Sequence, residues 1–182
     1  MSRSWSATLS VTGLFIVAIG LGTASAQNAA RPTDELAFVS QVAMSNMASI
    51  QLGHMATKKA QNADVQKFAQ ATIQDHLKAQ QQLADAAYGA GVKWPTKLDD
   101  KHQQIQQRLS KLSNEQFDRE YMKTMIERHR DVEKMLAARA SNGGGSESPL
   151  AAKVQQWAAS TLPDVRAELK EAEQVYGVLG AE

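Results

Sequence analysis

The sequence predicts an all-α protein, and three observations support this prediction. Glycine and proline are absent from long stretches of the chain, which has 11 glycines and 4 prolines in 182 residues. Alanine, glutamine, lysine and leucine dominate these stretches, and clusters of β-branched residues typical of strands are missing. Apolar residues recur every three or four positions, which is the spacing of one helix face. We therefore predict an up-and-down bundle of four long helices and one extra short helix, joined by brief connections.

The first two predicted helices are defined by their caps and apolar faces. The first covers about 34–59, with Thr33 or Asp34 as its cap, and the second begins after Asn62 or Asp64 and ends before two glycines. The apolar positions of the first are Leu36, Val39, Ala43, Met47 and Ile50, and those of the second are Val65, Phe68, Ala69, Thr72, Leu83 and Ala86.

The remaining helices follow from the same signals. A short helix covers about 98–112, and a long one begins after Asn114 and ends at the glycine run 143–145. The last helix has Ser148 as its predicted cap and a proline at its first position, where no backbone donor is lost. Because Pro163 lies inside its apolar pattern, we expect this helix to bend or break near residue 160.

The first 26 residues differ in composition from the rest of the chain. Arg3 precedes an apolar stretch at 11–21, and small residues follow at 24–26, which is the layout of a cleavable export signal. The stretch contains glycines and is shorter than the ~20 residues of a membrane-spanning helix, although a retained anchor is the alternative interpretation. The predicted organisation is a signal peptide at 1–26, a short linker at 27–33 and a helical domain at 34–179. We expect a periplasmic protein, with outer-membrane association left open, and no transmembrane segment after cleavage.

Composition narrows the function classes. The chain has no cysteine, which excludes disulfides and thiolate metal sites. Its 20 Lys and Arg nearly balance 19 Asp and Glu, and removal of Arg3 would make the net charge zero, so no nucleic-acid partner is expected. The sequence contains no Gly-x-Ser-x-Gly, His-Glu-x-x-His or phosphate-binding glycine loop, and no enzyme class is indicated.

Three motifs together resemble a known family. They are Val-Gln-Lys-Phe-Ala at 65–69 followed by Asp75-His76, Phe-Asp-Arg-Glu-Tyr at 117–121 followed by His129, and Leu-Pro-Asp-Val-Arg at 162–166. Over about 34–179 the chain resembles the bacterial ferritin-like domain of unknown function 4142, whose members are typically exported and have no settled activity. The resemblance implies a ferritin-like bundle in the cell envelope. It also suggests metal binding, because ferritin-like bundles often hold two metal ions.

Four polar residues lie on predicted apolar faces: His54, His76, His129 and Glu168. Because burial without a partner is costly, each needs a hydrogen-bond partner, a water or a metal. His76, His129 and Glu168 are a plausible ligand set for zinc, iron or manganese if they meet. Counting ~1.5 Å per residue, however, places His76 level with Met47, His54 roughly 10 Å from His76, and His129 about 10 Å from Glu168. Ordinary hydrogen-bonded interior residues are the alternative.

The sequence departs from a di-iron pattern. The resemblance places a family glutamate where Gln51 stands and a family histidine where Glu168 stands, and glutamine is a poor metal ligand. The Glu-x-x-His pair of a di-iron bundle is missing. Asp99 and His102 have that spacing but are expected to cap the short helix, and Asp75 is expected to face solvent.

Methionine offers a further metal hypothesis. Met44 and Met47 are three residues apart, as are Met122 and Met125, and thioethers can bind Cu(I). Core packing is the favoured interpretation, because methionine at helical spacing usually fills the core.

Three functions of different class remain. The leading hypothesis is a non-enzymatic exported helical module of the envelope that binds a partner protein or small ligand, with a link to stress conditions. The alternative is a ferritin-like bundle that binds a divalent transition metal through His76, His129 and Glu168, with His54 and Gln51 as further candidate ligands. The third is a redox enzyme of the di-iron kind.

Overall fold

The computed structural model describes residues 32–141 and 148–179, which form five α-helices and, within these ranges, no strand. The helices are α1 (Pro32–Lys59), α2 (Ala63–Ala86), α3 (Asp100–Ser110), α4 (Asn114–Ser141) and α5 (Pro149–Val178). The all-α prediction with four long helices and one short helix is confirmed. The predicted signal peptide, most of the linker and the glycine run lie outside the described residues.

The four long helices pack in a closed order. Helix α1 packs on α2, α2 on α5, α5 on α4 and α4 on α1. Helix α1 also contacts α5, and the short α3 contacts α1 and α4. One apolar cluster contains the end of α1, the starts of α2 and α4 and the end of α5, and a second contains the other halves of these helices. Helices α2 and α4 therefore run in the same direction. The connection 87–113 passes from one end of the molecule to the other, unlike the brief up-and-down connection that the sequence predicted.

A layer of polar side chains separates the two apolar clusters. Its buried members are Asn46 and Ser49 of α1, Thr72 and His76 of α2, and Arg128 and His129 of α4. Glu168 of α5, which is only partly exposed, lies at the same level, between cluster residues Val165 and Ala172. This polar layer contains all three residues of the predicted metal set.

Local signals account for most helix boundaries. The Asn62 side chain accepts hydrogen bonds from the backbone N–H groups of Asp64 and Val65, so it caps α2 as predicted. Two glycines with φ of 76°, Gly89 and Gly91, follow the end of α2. Helix α1 begins at Pro32, two residues before the predicted start.

Helix α5 differs from its prediction at two positions. Ser148 occupies the cap position, but its hydroxyl makes no capping hydrogen bond. Pro163 does not break the helix, which is continuous from Pro149 to Val178. Proline removes one backbone donor near the middle of the helix, and packing of the buried residues on both sides, such as Thr161 and Val165, offsets this loss.

The buried face of α1 differs from the predicted apolar stripe. Leu36, Met47 and Ile50 are only partly buried, whereas the polar residues Asn46 and Ser49 are buried. The prediction selected apolar residues alone, and the buried face includes polar side chains that have partners in the core. Glu35 is also fully buried on this helix.

Helices α1 and α2 approach closely at Gly53. A Cβ atom at this position would lie 2.7 Å from Cγ1 of Ile73 and 3.2 Å from the carbonyl oxygen of Ala69. A larger residue would fit here only if the Ile73 side chain shifted and the backbone at Ala69 gave way slightly.

Asp118 of α4 joins the connection between α1 and α2. Its carboxylate, on a residue that is 2% exposed, accepts hydrogen bonds from the backbone N–H of Gln61 at 3.2 Å and of Asn62 at 2.8 Å. We expect Asp118→Ala to lower the free energy of unfolding by about 2 kcal/mol, because two backbone donors lose a charged acceptor. Urea denaturation followed by circular dichroism measures this change. Glu115→Ala, on an exposed residue of the same helix, is the control, and equal losses in the two variants would contradict the assignment.

Candidate metal centre

The structure brings together His76 of α2, His129 of α4 and Glu168 of α5. One ligand atom of each residue lies within 4.8 Å of the ligand atoms of the other two. The histidine side chains are 7% and 2% exposed, and the glutamate side chain is 15% exposed. Three groups that favour divalent transition metals therefore meet in a largely dry layer of the core.

Hydrogen bonds fix the His76 ring. Its Nδ1 lies 2.9 Å from Oδ1 of Asn46, and the Asn46 amide nitrogen donates to Oε1 of Gln80. Because the amide oxygen can only accept, His76 Nδ1 carries the proton. Nε2 of His76 is then an acceptor, and this buried atom has no hydrogen-bond partner although it lies 3.6 Å from Oε2 of Glu168.

A hydrogen bond from Nδ1 also orients the His129 ring. Its Nδ1 lies 2.7 Å from the backbone oxygen of Met125, which can only accept, so Nδ1 donates. Its Nε2 lies 2.8 Å from Oε2 of Glu168. Both imidazoles thus donate through Nδ1 to protein oxygens and direct Nε2 at one carboxylate oxygen. Metal-binding histidines commonly have this arrangement, in which the second nitrogen holds the ring in place.

The electrostatics of the layer favour a neutral His76 ring and an ionised Glu168 carboxylate, which accepts a hydrogen bond from His129 only while Nε2 of His129 carries a proton. Burial lowers the pKa of His76 to about 4, so this ring is uncharged at neutral pH. Burial also acts to raise the pKa of Glu168. The hydrogen bond with His129 and the two nearby imidazoles outweigh this effect and hold the pKa below its ordinary value. A metal ion bound here would replace the proton on Nε2 of His129, because imidazole nitrogens and carboxylates bind metal ions in their deprotonated forms.

A cleft of about 280 Å³ reaches the candidate centre and is lined by His76 and Glu168. Three exposed acidic residues, Asp75, Asp164 and Glu171, also line it. Burial, followed by the nearby Glu168 charge, raises the pKa of Asp75. Carboxylates at the cleft would attract cations, so the cleft is a plausible entry path.

The predicted distance between His129 and Glu168 is wrong, because their side chains are in hydrogen-bond contact. His129 lies 12 residues before the end of α4 and Glu168 lies 19 residues after the start of α5. Their Cα positions thus differ by about 10 Å in level if the helix ends are aligned. Helical side chains lean toward the N-terminus of their own helix, and in this antiparallel pair both lean toward each other. The predicted level of His76 is confirmed within one residue, because its partner Asn46 adjoins Met47.

The two further candidate ligands lie outside this group. His54 is exposed, so the prediction that it belongs to the apolar face of α1 is wrong. Gln51 is partly buried, and its side-chain oxygen accepts a hydrogen bond from Gln106 of α3. Asp99 caps α3 by accepting from the backbone N–H of His102, as predicted.

Other predicted roles are also confirmed. Asp75 is exposed on α2. Met122 and Met125 are fully buried in an apolar cluster, as expected for core-filling methionines, whereas Met44 and Met47 are only partly buried. Asn46 was not predicted as a site residue. It could have been, because it adjoins Met47, at the level where His76 was expected.

The fold and the site together define an all-helical protein with a buried group of two histidines and one glutamate. Residues 21–175 match the family model described as domain of unknown function (DUF4142), and the chain belongs to this family. Neither the curated proteins nor the solved structures compared with the chain give a match. Within the described residues, no helix has both the length and the apolar character needed to cross a membrane.

Proposed function

We propose that this protein binds one divalent transition metal ion through Nε2 of His76, Nε2 of His129 and the carboxylate of Glu168. The observation that carries the proposal is the shared orientation of the two imidazoles. Each ring donates its Nδ1 proton to a protein oxygen, and each Nε2 faces the same carboxylate oxygen. A cation between these three atoms would give the unpartnered Nε2 of His76 an atom to bind.

The ligand set favours zinc, iron or manganese. Two imidazoles and a carboxylate bind catalytic zinc in some proteins and ferrous iron in others. Three protein ligands leave at least one coordination position for a water or a small molecule, and the cleft beside Glu168 provides access to it. A site with a free position can bind or activate a ligand as well as hold the ion.

A di-iron centre is not favoured by the same geometry. Di-iron bundles of the ferritin-like kind use about four carboxylates and two histidines. Within the described residues, the group of three has a single carboxylate, that of Glu168. We therefore propose a mononuclear site rather than an iron oxidase.

We also propose that the long helices form a ferritin-like four-helix bundle in an exported protein. The closed packing order and the crossover between the parallel helices α2 and α4 support the fold, because ferritin-like bundles have one such crossover. The apolar stretch at 11–21, with Arg3 before it and small residues after it, supports export. A periplasmic location would expose the mature protein to metal ions of that compartment.

The proposal is tested by metal content. We expect the mature protein, purified without chelator or histidine tag, to contain about one metal per chain by elemental analysis. The double variant His76→Ala, His129→Ala should lose the metal, because one carboxylate cannot hold the ion alone. His54→Ala is the matched control, since it removes an exposed histidine of the same protein and should keep full occupancy.

Two results would overturn the proposal. One is unchanged metal occupancy in the folded double variant. The other is the failure of zinc, manganese and ferrous iron to bind the unsubstituted protein during dialysis against excess ion. The second result would instead favour the hypothesis of a non-enzymatic helical module that binds an envelope partner or a small ligand.

A further inference from the structure

Arg128 of α4 is a buried cation that makes no ion pair in the described part of the chain, although the carboxylates of Asp131 and Asp99 are near enough to act on its charge. The residue is 8% exposed, and within the described residues no Asp or Glu lies at ion-pair distance from it. Its Nη2 donates to the backbone oxygen and hydroxyl of Ser45 and to the hydroxyl of Ser49, and its Nε is buried without a partner. Three other arginines, in contrast, pair with glutamates: Arg130, Arg139 and Arg166.

Arg128 lies in a second cleft, formed by α1, α3 and α4. This cleft has a volume of about 570 Å³ and is also lined by Lys101, Arg108 and Lys134. The acidic residues that line it are Glu127 and Asp131. Four permanent cations thus face two carboxylates, although the whole chain has a net charge of only +1.

The positive charges of the cleft are not neutralised by ion pairs. None of the four cations takes part in an ion pair among the residues of the two described ranges. The Nη2 of Arg108 donates to the neutral hydroxyl of Thr124. Burial of an unpaired guanidinium is costly, and an oxyanion would offset that cost through charge-assisted hydrogen bonds.

Apolar side chains also line the cleft. Ile105 of α3 and Val132 and Met135 of α4 line it beside the cations. The volume lies within the range of small-molecule sites, and it exceeds what a bare inorganic ion needs. A ligand that has both an anionic group and an apolar part would find partners for both among the lining residues.

We propose that this cleft binds a small free organic anion. Its phosphate or carboxylate group would lie against Arg128 and the neighbouring basic residues, and its apolar part would lie against Ile105 and Met135. The site is separate from the metal centre, although Arg128 precedes His129 in the chain. Consecutive residues of a helix point about 100° apart, and none of the three candidate metal ligands lines the cleft of Arg128.

The experiment is calorimetric titration of the full mature chain at low ionic strength with phenyl phosphate, benzoate and inorganic phosphate. We expect phenyl phosphate or benzoate to bind more tightly than inorganic phosphate, because only the organic anions have an apolar part that can contact Ile105, Val132 and Met135. Arg128→Met should weaken binding about 10-fold or more, the effect expected from loss of a charged hydrogen bond. Arg130→Met is the matched control, because Arg130 is exposed on the same helix and pairs with Glu173.

A second variant tests the cleft independently, in case Arg128→Met does not fold. Arg108→Gln alters an exposed residue of the cleft and should weaken binding several-fold while the helical circular dichroism stays unchanged. The His76→Ala, His129→Ala variant should keep anion binding, which separates this site from the proposed metal function.

Three results would overturn the proposal. They are no binding of either organic anion up to about 10 mM, where even a weak site would respond, unchanged affinity in both cleft variants, and binding to phosphatidylglycerol vesicles without binding to the free anions. The last result would assign the cleft to a lipid surface instead.

Discussion

Arg139→Met is expected to lower the free energy of unfolding by about 3 to 5 kcal/mol, because it leaves a buried carboxylate without its cation. Glu35 is fully buried, and its Oε2 accepts a hydrogen bond from Nη2 of Arg139. The same guanidinium donates to the backbone oxygen of Ala151 and lies over the Phe38 ring. This pair therefore ties the start of α1 to the end of α4 and the start of α5.

Denaturation by urea at pH 7 measures this effect. Arg166→Met is the matched control, because Arg166 pairs with the partly exposed Glu133 at the surface, where an ion pair contributes about 0 to 1 kcal/mol. The double variant Glu35→Leu, Arg139→Met should recover much of the loss, since no unpaired charge remains in the core. A loss below about 1 kcal/mol in Arg139→Met would show that the Glu35 carboxylate finds another partner or water.

Acidification is expected to destabilise the metal-free protein by about 2 to 3 kcal/mol between pH 7.5 and 4.5. Burial lowers the pKa of His76 from 6.5 to about 4. Over this interval the unfolded chain takes up a proton at His76 while the folded protein does not, so stability falls as pH falls. The lowered pKa of Glu168 acts in the same direction at the acidic end, because its stabilising contribution is lost when the carboxylate is protonated.

This pH dependence is measured by urea denaturation in the presence of EDTA. His76→Gln should remove most of the difference between the two pH values, because the main titrating group is lost. His54→Gln changes an exposed histidine and should leave the difference intact. An equal pH dependence in His76→Gln and the unsubstituted protein would contradict the assignment to His76.

The helices could be predicted because their signals are local. Apolar spacing located the long helices, and Asn62, Asp99 and Pro149 mark helix starts through their own backbone and side-chain chemistry. Pro163 was expected to bend or break α5, and the break does not occur, because tertiary packing keeps α5 continuous across it. The direction of α4 was missed because the course of the connection 87–113 is set by long-range contacts.

The candidate site could be predicted in composition but not in geometry. His76, His129 and Glu168 were identified as polar residues on apolar faces, yet their meeting depends on helix register and on the lean of the side chains. Residues such as Asn46 and Arg128 were missed, because a search for apolar spacing treats buried polar residues as surface residues. His76, the partner of Asn46, is 30 positions away in the sequence, and Ser45, a partner of Arg128, is 83 positions away.

The polar layer also determines at which stage of synthesis and folding the chain could bind a metal. Its ligands and their supporting amide come from four separate helices, and Asn46 and Glu168 lie at opposite ends of the described chain. A nascent or truncated chain that lacks α5 has no Glu168 and no complete centre. Only a fully synthesised and folded chain would therefore bind the metal, and chains that lack α5 would not compete for the ion.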